Sequence, residues 1–146
     1  MKSIRLSMLA LVLGVLALLA FAQVSAQNSS RELRVKLTYS GPGQVDAAHG
    51  IHLYVFDTPD ISTGSMPIAM DSARENGAVL VVPGLTQEKV YLVAAYGDYD
   101  TMMGPPPSGT PIALYKPGDV NMPTPIAMDK DKVEVEFQFD DSMKMP

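Results

Sequence analysis

The chain has 146 residues, is 47% hydrophobic, lacks cysteine and tryptophan, and carries a formal net charge of −5. Without cysteine it can form no disulfide, thiolate metal site, cysteine nucleophile or lipid-modified cysteine anchor. Its acidic balance argues against nucleic acid and anionic membrane surfaces, which attract basic patches.

Lys2 and Arg5 give the chain a short positive start, and Met8 to Ala22 is an uncharged, mostly apolar run. The run falls short of the ~20 residues a helix needs to span a bilayer. Small residues then match the pattern of a signal-peptidase site, with Val24 to Ala26 the better match and Ala20 to Ala22 the second. Residues 1–26 therefore read as a signal peptide and residues 27–146 as one domain, exported to the periplasm or the extracellular space with no membrane span after processing. The leader holds two of the 11 basic residues and none of the 16 acidic ones, so nine basic residues face 16 acidic ones and the mature charge is −7. Asn28 to Ser30 matches a glycosylation acceptor, which matters in a eukaryotic host.

Strand patterns dominate the chain after the leader. In Glu32 to Tyr39, Leu33, Val35, Leu37 and Tyr39 alternate with Arg34, Lys36 and Thr38, the two-residue period of a half-buried strand. Gly41 to Gly43, "GPG", breaks the chain. Ile51 to Asp57 is apolar on both faces, with Ile51, Leu53 and Val55 on one and Tyr54 and Phe56 on the other. Ala78 to Val82 is a short β-branched run expected to stop at Pro83 and Gly84, and Lys89 to Tyr96 is another strand. The last strand, Lys132 to Phe139, sets Val133, Val135, Phe137 and Phe139 on one face. No segment after the leader shows a sustained helical period. Opposite charges at Arg34 and Lys36 and at Glu134 and Glu136 suggest that the first and last strands are neighbours.

"PIAMD" occurs at Pro67 to Asp71 and Pro125 to Asp129, with a near copy, "PIALY", at Pro111 to Tyr115. Proline lacks the ladder donor, so it is tolerated at a strand's first residue or on a sheet edge. The copies read as strand starts, with the closing aspartate suited to a turn. They are not a duplication, because "YLVAAYGDYD" has no counterpart after Phe139. Short strands separated by turn residues predict an all-β chain: an antiparallel β-sandwich of about seven strands, prealbumin-like or Ig-like.

The pieces "IHLYVFD", "AMDSARENGAVLVVPGL" and "KVYLVAAYGD", from Gly50 to Tyr96 and just beyond, resemble the prealbumin-like or carboxypeptidase-regulatory-like sandwich of secreted proteins. From Gly50 to Asp140, "YLVAAYGDYD", "GTPIALY" and "VEVEFQF" resemble a group of bacterial secreted β-sandwich domains of unknown function. The resemblance implies the same fold and compartment, and an acidic loop suited to calcium. This chain keeps Asp98, Asp100 and Gly104 of that loop, but it places Thr101, Met102 and Met103 between them and Ala113 where the group often has an acid.

Gly97 to Gly109, "GDYDTMMGPPPSG", is the most distinctive loop. Asp98 and Asp100 have the spacing that opens a calcium loop, although no Glu follows within it and Asp119 would have to join from elsewhere. Pro105, Pro106 and Pro107 should hold the loop extended. Tyr99, Met102, Met103 and the three prolines then form a partner-contact surface, with at least one methionine exposed. His49 and His52 fall on opposite sides of an extended strand and read as rim histidines that share no metal. Eight methionines after the leader offer thioethers for copper, but without tight His–Met spacing. No nucleophile elbow, zinc-protease or phosphate-loop motif is present. The reading is a non-catalytic binding or accessory domain that needs no cofactor. Its partner is another protein or an envelope or extracellular component. The alternative is a metal-binding protein, calcium through Asp98 and Asp100 or copper through Met and His, and a hydrolase ranks third.

Overall fold

The computed structural model describes residues 30–62, 64–118 and 122–146. The signal peptide expected over residues 1–26, both cleavage patterns, Asn28, Ser29 and Asp119 lie outside the described residues, as does the side chain of Met102. Eight strands are found among the described residues: β1 (Arg31–Tyr39), β2 (Gly50–Phe56), β3 (Ala69–Ala73), β4 (Val79–Leu85), β5 (Lys89–Gly97), β6 (Ile112–Leu114), β7 (Ile126–Ala127) and β8 (Lys132–Phe139). They form a three-stranded sheet in the order β4–β1–β8 and a five-stranded sheet in the order β3–β2–β5–β6, with β7 also on β5.

The alternation in β1 does what it implies: Leu33, Val35 and Leu37 are fully buried between the sheets. They meet Ile51, Leu53 and Val55 of β2, Leu92 of β5, and Phe137 and Phe139 of β8 in one core, the layout of a β-sandwich. Each fully buried leucine there contributes about 1.5–3 kcal/mol of transfer free energy. The opposite face of β2 is also covered. Tyr54 and Phe56 join Tyr91, Val93 and Ala95 of β5 in a second cluster, with Ile61, Tyr99, Ile112 and Leu114 packed against it.

β1 and β8 are neighbours, and the register sets Arg34 beside Glu134 and Lys36 beside Glu136. The pair is parallel, which corrects the expectation of a purely antiparallel sandwich. A parallel pair needs a crossover connection, and here the whole intervening chain supplies it. Lys36 Nζ lies 3.4 Å from Glu136 Oε1, whereas Arg34 pairs instead with Glu32 of its own strand at 2.6 Å.

All three "PIA" copies lead into edge strands of the five-stranded sheet. β3 pairs with β2, while β6 and β7 lie one after the other along the same side of β5. Asp71 departs from the turn expected of it and sits within β3. Its carboxylate accepts from the Ser72 amide at 2.8 Å and from the Val81 amide of β4 at 3.3 Å, so it links the edges of the two sheets. Pro83 and Gly84 do not stop β4, which continues to Leu85. The register slips by one residue there, between Arg31 and Leu33 of β1, and Gly84 takes φ 79°. A bulge absorbs the pair, because proline need not donate at a bulge and glycine accepts a positive φ.

Candidate functional site

One end of the sandwich gathers the start of β2 and the ends of β1, β3, β5 and β8. Gly50 pairs with Gly97, Ile51 with Ala73, and Tyr39 with Phe139. The rings of Tyr39 and Tyr96 stack at 4.1 Å and 9° and join the two sheets here. Gly41 and Gly43 explain the "GPG" break, since a Cβ on either would collide with the Tyr39 or Tyr96 ring. The Tyr96 hydroxyl donates to the Gln44 carbonyl at 2.8 Å and fastens the β1–β2 loop. In the β3–β4 turn, the Asn76 amide mimics a strand neighbour: its Oδ1 accepts from Tyr39 N and its Nδ2 donates to Tyr39 O, both at 2.8 Å.

The loop after β5 is held at both of its ends. At its start Tyr99 turns inward, and the Tyr54 hydroxyl donates to the Tyr99 hydroxyl at 3.1 Å. The Tyr99 ring lies 4.4 Å from the His52 ring. Gly97 makes room for this, because a Cβ there would stand 3.2 Å from the Tyr99 ring. Burial raises the Tyr99 pKa far above the ordinary phenol value. At the far end the C-terminal tail pairs with the loop. Gly109 N and Met145 N donate to Met145 O and Thr110 O, each at 2.9 Å, and Pro111 bridges Lys144. Between these anchors Thr101–Met103 form one 3-10 turn, a departure from the extended path expected. Met103 N closes it onto Asp100 O at 3.1 Å. Met103 projects 85% exposed, Pro105 and Pro107 are exposed, and Pro106 is half-buried.

His52 is a correction to the sequence reading: it is a core residue, only 2% exposed. Its register partners are Ser72 on β3 and Ala95 on β5, so it shares the second cluster's face with Tyr54 and Phe56. Its Nε2 lies 3.1 Å from the Gly97 carbonyl and must carry the proton to donate. Nδ1 then keeps a lone pair, and it has no hydrogen-bond partner among the described residues. Burial is the main cause that lowers the His52 pKa; the Gly97 carbonyl opposes it, Arg74 lowers it further, and Asp98 raises it. The ring is therefore neutral near pH 7. Among the described residues no hydroxyl lies within hydrogen-bond distance of Nδ1.

His49, by contrast, is exposed, and its Nδ1 lies 3.4 Å from Asp46 Oδ1. The amides of Ala48 and His49 both donate to Asp46 at 2.8 Å and hold its pKa below the ordinary value.

A pocket of about 290 Å³ opens beside His52, lined also by Ser72, Arg74, Asp98, Asp100 and Thr101, with Tyr99 as a wall. Asp98 and Asp100, paired by the sequence, do share this rim, and both are exposed. Among the described residues no three His, Asp or Glu side chains converge as a metal site would require. The thioethers are spread over separate elements: Met66 and Met70 at β3, Met103 on the loop, Met128 in the core. Sequence reasoning missed Ser72, Arg74 and the pocket role of His52. The signal for His52 was its parity with Tyr54 and Phe56. Arg74 carried no signal, since it reaches the site by lying over Gly50, where a Cβ would stand 3.1 Å from its Nη1. No protein-family model, curated protein or solved structure matches the chain.

Proposed function

We propose that the chain is an exported, non-catalytic binding or accessory domain of prealbumin-like or Ig-like kind, and that it engages another protein or an envelope or extracellular component through the Gly97–Gly109 loop. The observation that carries the reading is Met103: a large apolar side chain, 85% exposed, on a loop anchored on both sides. Binding through a loop that is already ordered forgoes much of the cost of immobilising it. Methionine is an adaptable contact residue, and rigid sheets commonly position such loops. Export rests on the positive start, the short apolar run and the small residues ending at Ala26. The experiment compares capture of envelope or culture-fluid components by the protein and by its Met103→Ser variant. Loss of a captured component with an unchanged melting temperature supports the reading. Capture that Met103→Ser leaves intact overturns it.

A second reading, cation binding, draws on Asp98 and Asp100 sharing one rim. Against it stands the Arg74 guanidinium on the same pocket, which repels a cation. Calcium titration by calorimetry separates the two readings: a saturable signal that Asp98→Asn abolishes favours the cation.

A further inference from the structure

We propose that the outer edge of β8 is a docking site for an extended basic segment of a partner protein, which adds a strand to the three-stranded sheet. The site is separate from the Gly97–Gly109 loop and stands without it. Asp131 O accepts from Glu32 N, and Phe139 O accepts from Ser40 N, both at 2.8 Å. In a parallel ladder of that phase, the N–H and C=O groups of Val133, Val135 and Phe137 face β1. Those of Lys132, Glu134, Glu136 and Gln138 face outward, and among the described residues β8 pairs with no strand but β1.

Sheet edges are usually blunted by shortness, proline, a bulge or charge. β8 pairs with β1 over its full length without a register slip and contains no proline. Of those four devices, β8 carries charge only. The core is also thinly covered here: Val133 and Val135 are half-buried, whereas Val35, Val55 and Val90 are fully buried. A groove of about 410 Å³ runs beside the upper part of this edge, between Ile112–Leu114 and Gln138–Asp140.

The charges select the occupant. A second copy paired antiparallel about the middle of β8 would set Glu134 or Glu136 against itself or against the other. Carboxylates directly opposite each other repel, and the whole chain is acidic. A basic segment meets the same two carboxylates with opposite charge. β1 already shows the matching chemistry from the other side, with Arg34 and Lys36 beside Glu134 and Glu136, and Val35 and Leu37 turned to the core. Glu136 remains 83% exposed despite Lys36, so its charge is still available at the edge. A segment alternating basic and branched apolar residues would cover Val133 and Val135 and supply the missing backbone partners, as in strand addition.

The probe is a capped peptide with the sequence of β1, RELRVKLTY, added to the isotope-labelled protein at up to about 1 mM, the range of a weak single-strand contact. The amides of Glu134 and Glu136 should shift and exchange more slowly, while those of Val133, Val135 and Phe137 stay unchanged. Glu134→Gln with Glu136→Gln should weaken binding roughly tenfold, as expected for two cross-strand charge pairs. Glu136→Pro removes an outward amide and leaves the β1 ladder whole, so it should abolish binding. If that variant does not fold, the glutamine pair still decides. Four results would each overturn the proposal: no binding, perturbation of the β1-facing amides by strand exchange, binding indifferent to the glutamines, or dimerisation through β8 without peptide.

Discussion

The Tyr54 hydroxyl meets the Tyr99 hydroxyl at 3.1 Å, joining the middle of β2 to a loop residue 45 positions later. This contact closes the outer face of the five-stranded sheet and fixes where the loop leaves it. Tyr99→Phe keeps the ring over His52 but leaves the Tyr54 hydroxyl without this partner, and it should cost about 1 kcal/mol. Tyr99→Ala removes the ring as well and should cost about 3 kcal/mol or more. Urea denaturation gives both values, and amide exchange in Asp98 to Gly104 should rise sharply only for the alanine variant.

The buried neutral His52 makes stability depend on pH. Its folded pKa lies below the 6.5 of an unfolded chain. Below pH 6.5 the unfolded chain takes up this proton before the folded one does. Stability is therefore fully present above 6.5, falls through the window between 6.5 and the lowered folded value, and is lowest below both. His52→Gln should flatten that part of the profile. Glu32, Asp46 and Asp140 have lowered pKa values and act in a separate window. Their contribution is present above the ordinary carboxylate range and disappears as pH falls through their folded values. Denaturant titrations from pH 4.5 to 8, of the protein and of the variant, test the histidine part alone.

Asn76 is not expendable as an ordinary turn residue would be. Its amide makes both bonds to the Tyr39 backbone, so Asn76→Ala leaves a donor and an acceptor without these partners at the end of β1. The expected loss is about 1–3 kcal/mol. Asn76→Asp keeps the acceptor and should fall between, because it cannot donate to Tyr39 O. Thermal unfolding of the three proteins gives the order.

The Lys36–Glu136 pair should matter little. Both side chains are largely exposed and 3.4 Å apart, and such pairs contribute at most about 1 kcal/mol, less in salt. A double-mutant cycle with Lys36→Ala and Glu136→Ala should show coupling below about 0.5 kcal/mol that vanishes in high salt.

The charge pattern that located β8 beside β1 was legible because side chains on one strand face repeat every two residues. The same pattern could not give the sense of the pairing: Arg34 and Lys36 match Glu134 and Glu136 equally well in either direction. The bonds at Asp131 and Phe139 decide it. Pro83 and Gly84 look like a stop in sequence, and only the slipped register shows that they form a bulge. His52 had the parity of Tyr54 and Phe56, but the burial of that face depends on Tyr99 folding back, a contact remote in sequence. The tail from Met143 to Met145 has no strand period, so its pairing with Gly109 to Ile112 left no trace in composition. The acidic rim was readable as Asp98 and Asp100; Arg74, which changes its electrostatics, arrives through the cross-sheet turn.

The parallel pairing of β1 with β8 also orders events in time. Before Lys132 to Phe139 are available, β1 has β4 as its sole ladder partner and the smaller sheet is a two-stranded ribbon. Such ribbons are marginal in water. A chain that emerges amino end first carries Leu33, Val35 and Leu37 uncovered by Phe137 and Phe139 until β8 follows. Closing that gap, a sequence separation of 100 from Lys36 to Glu136, places assembly among the slow, non-local class. The smaller sheet is therefore completed only by β8, the last of the described strands in chain order.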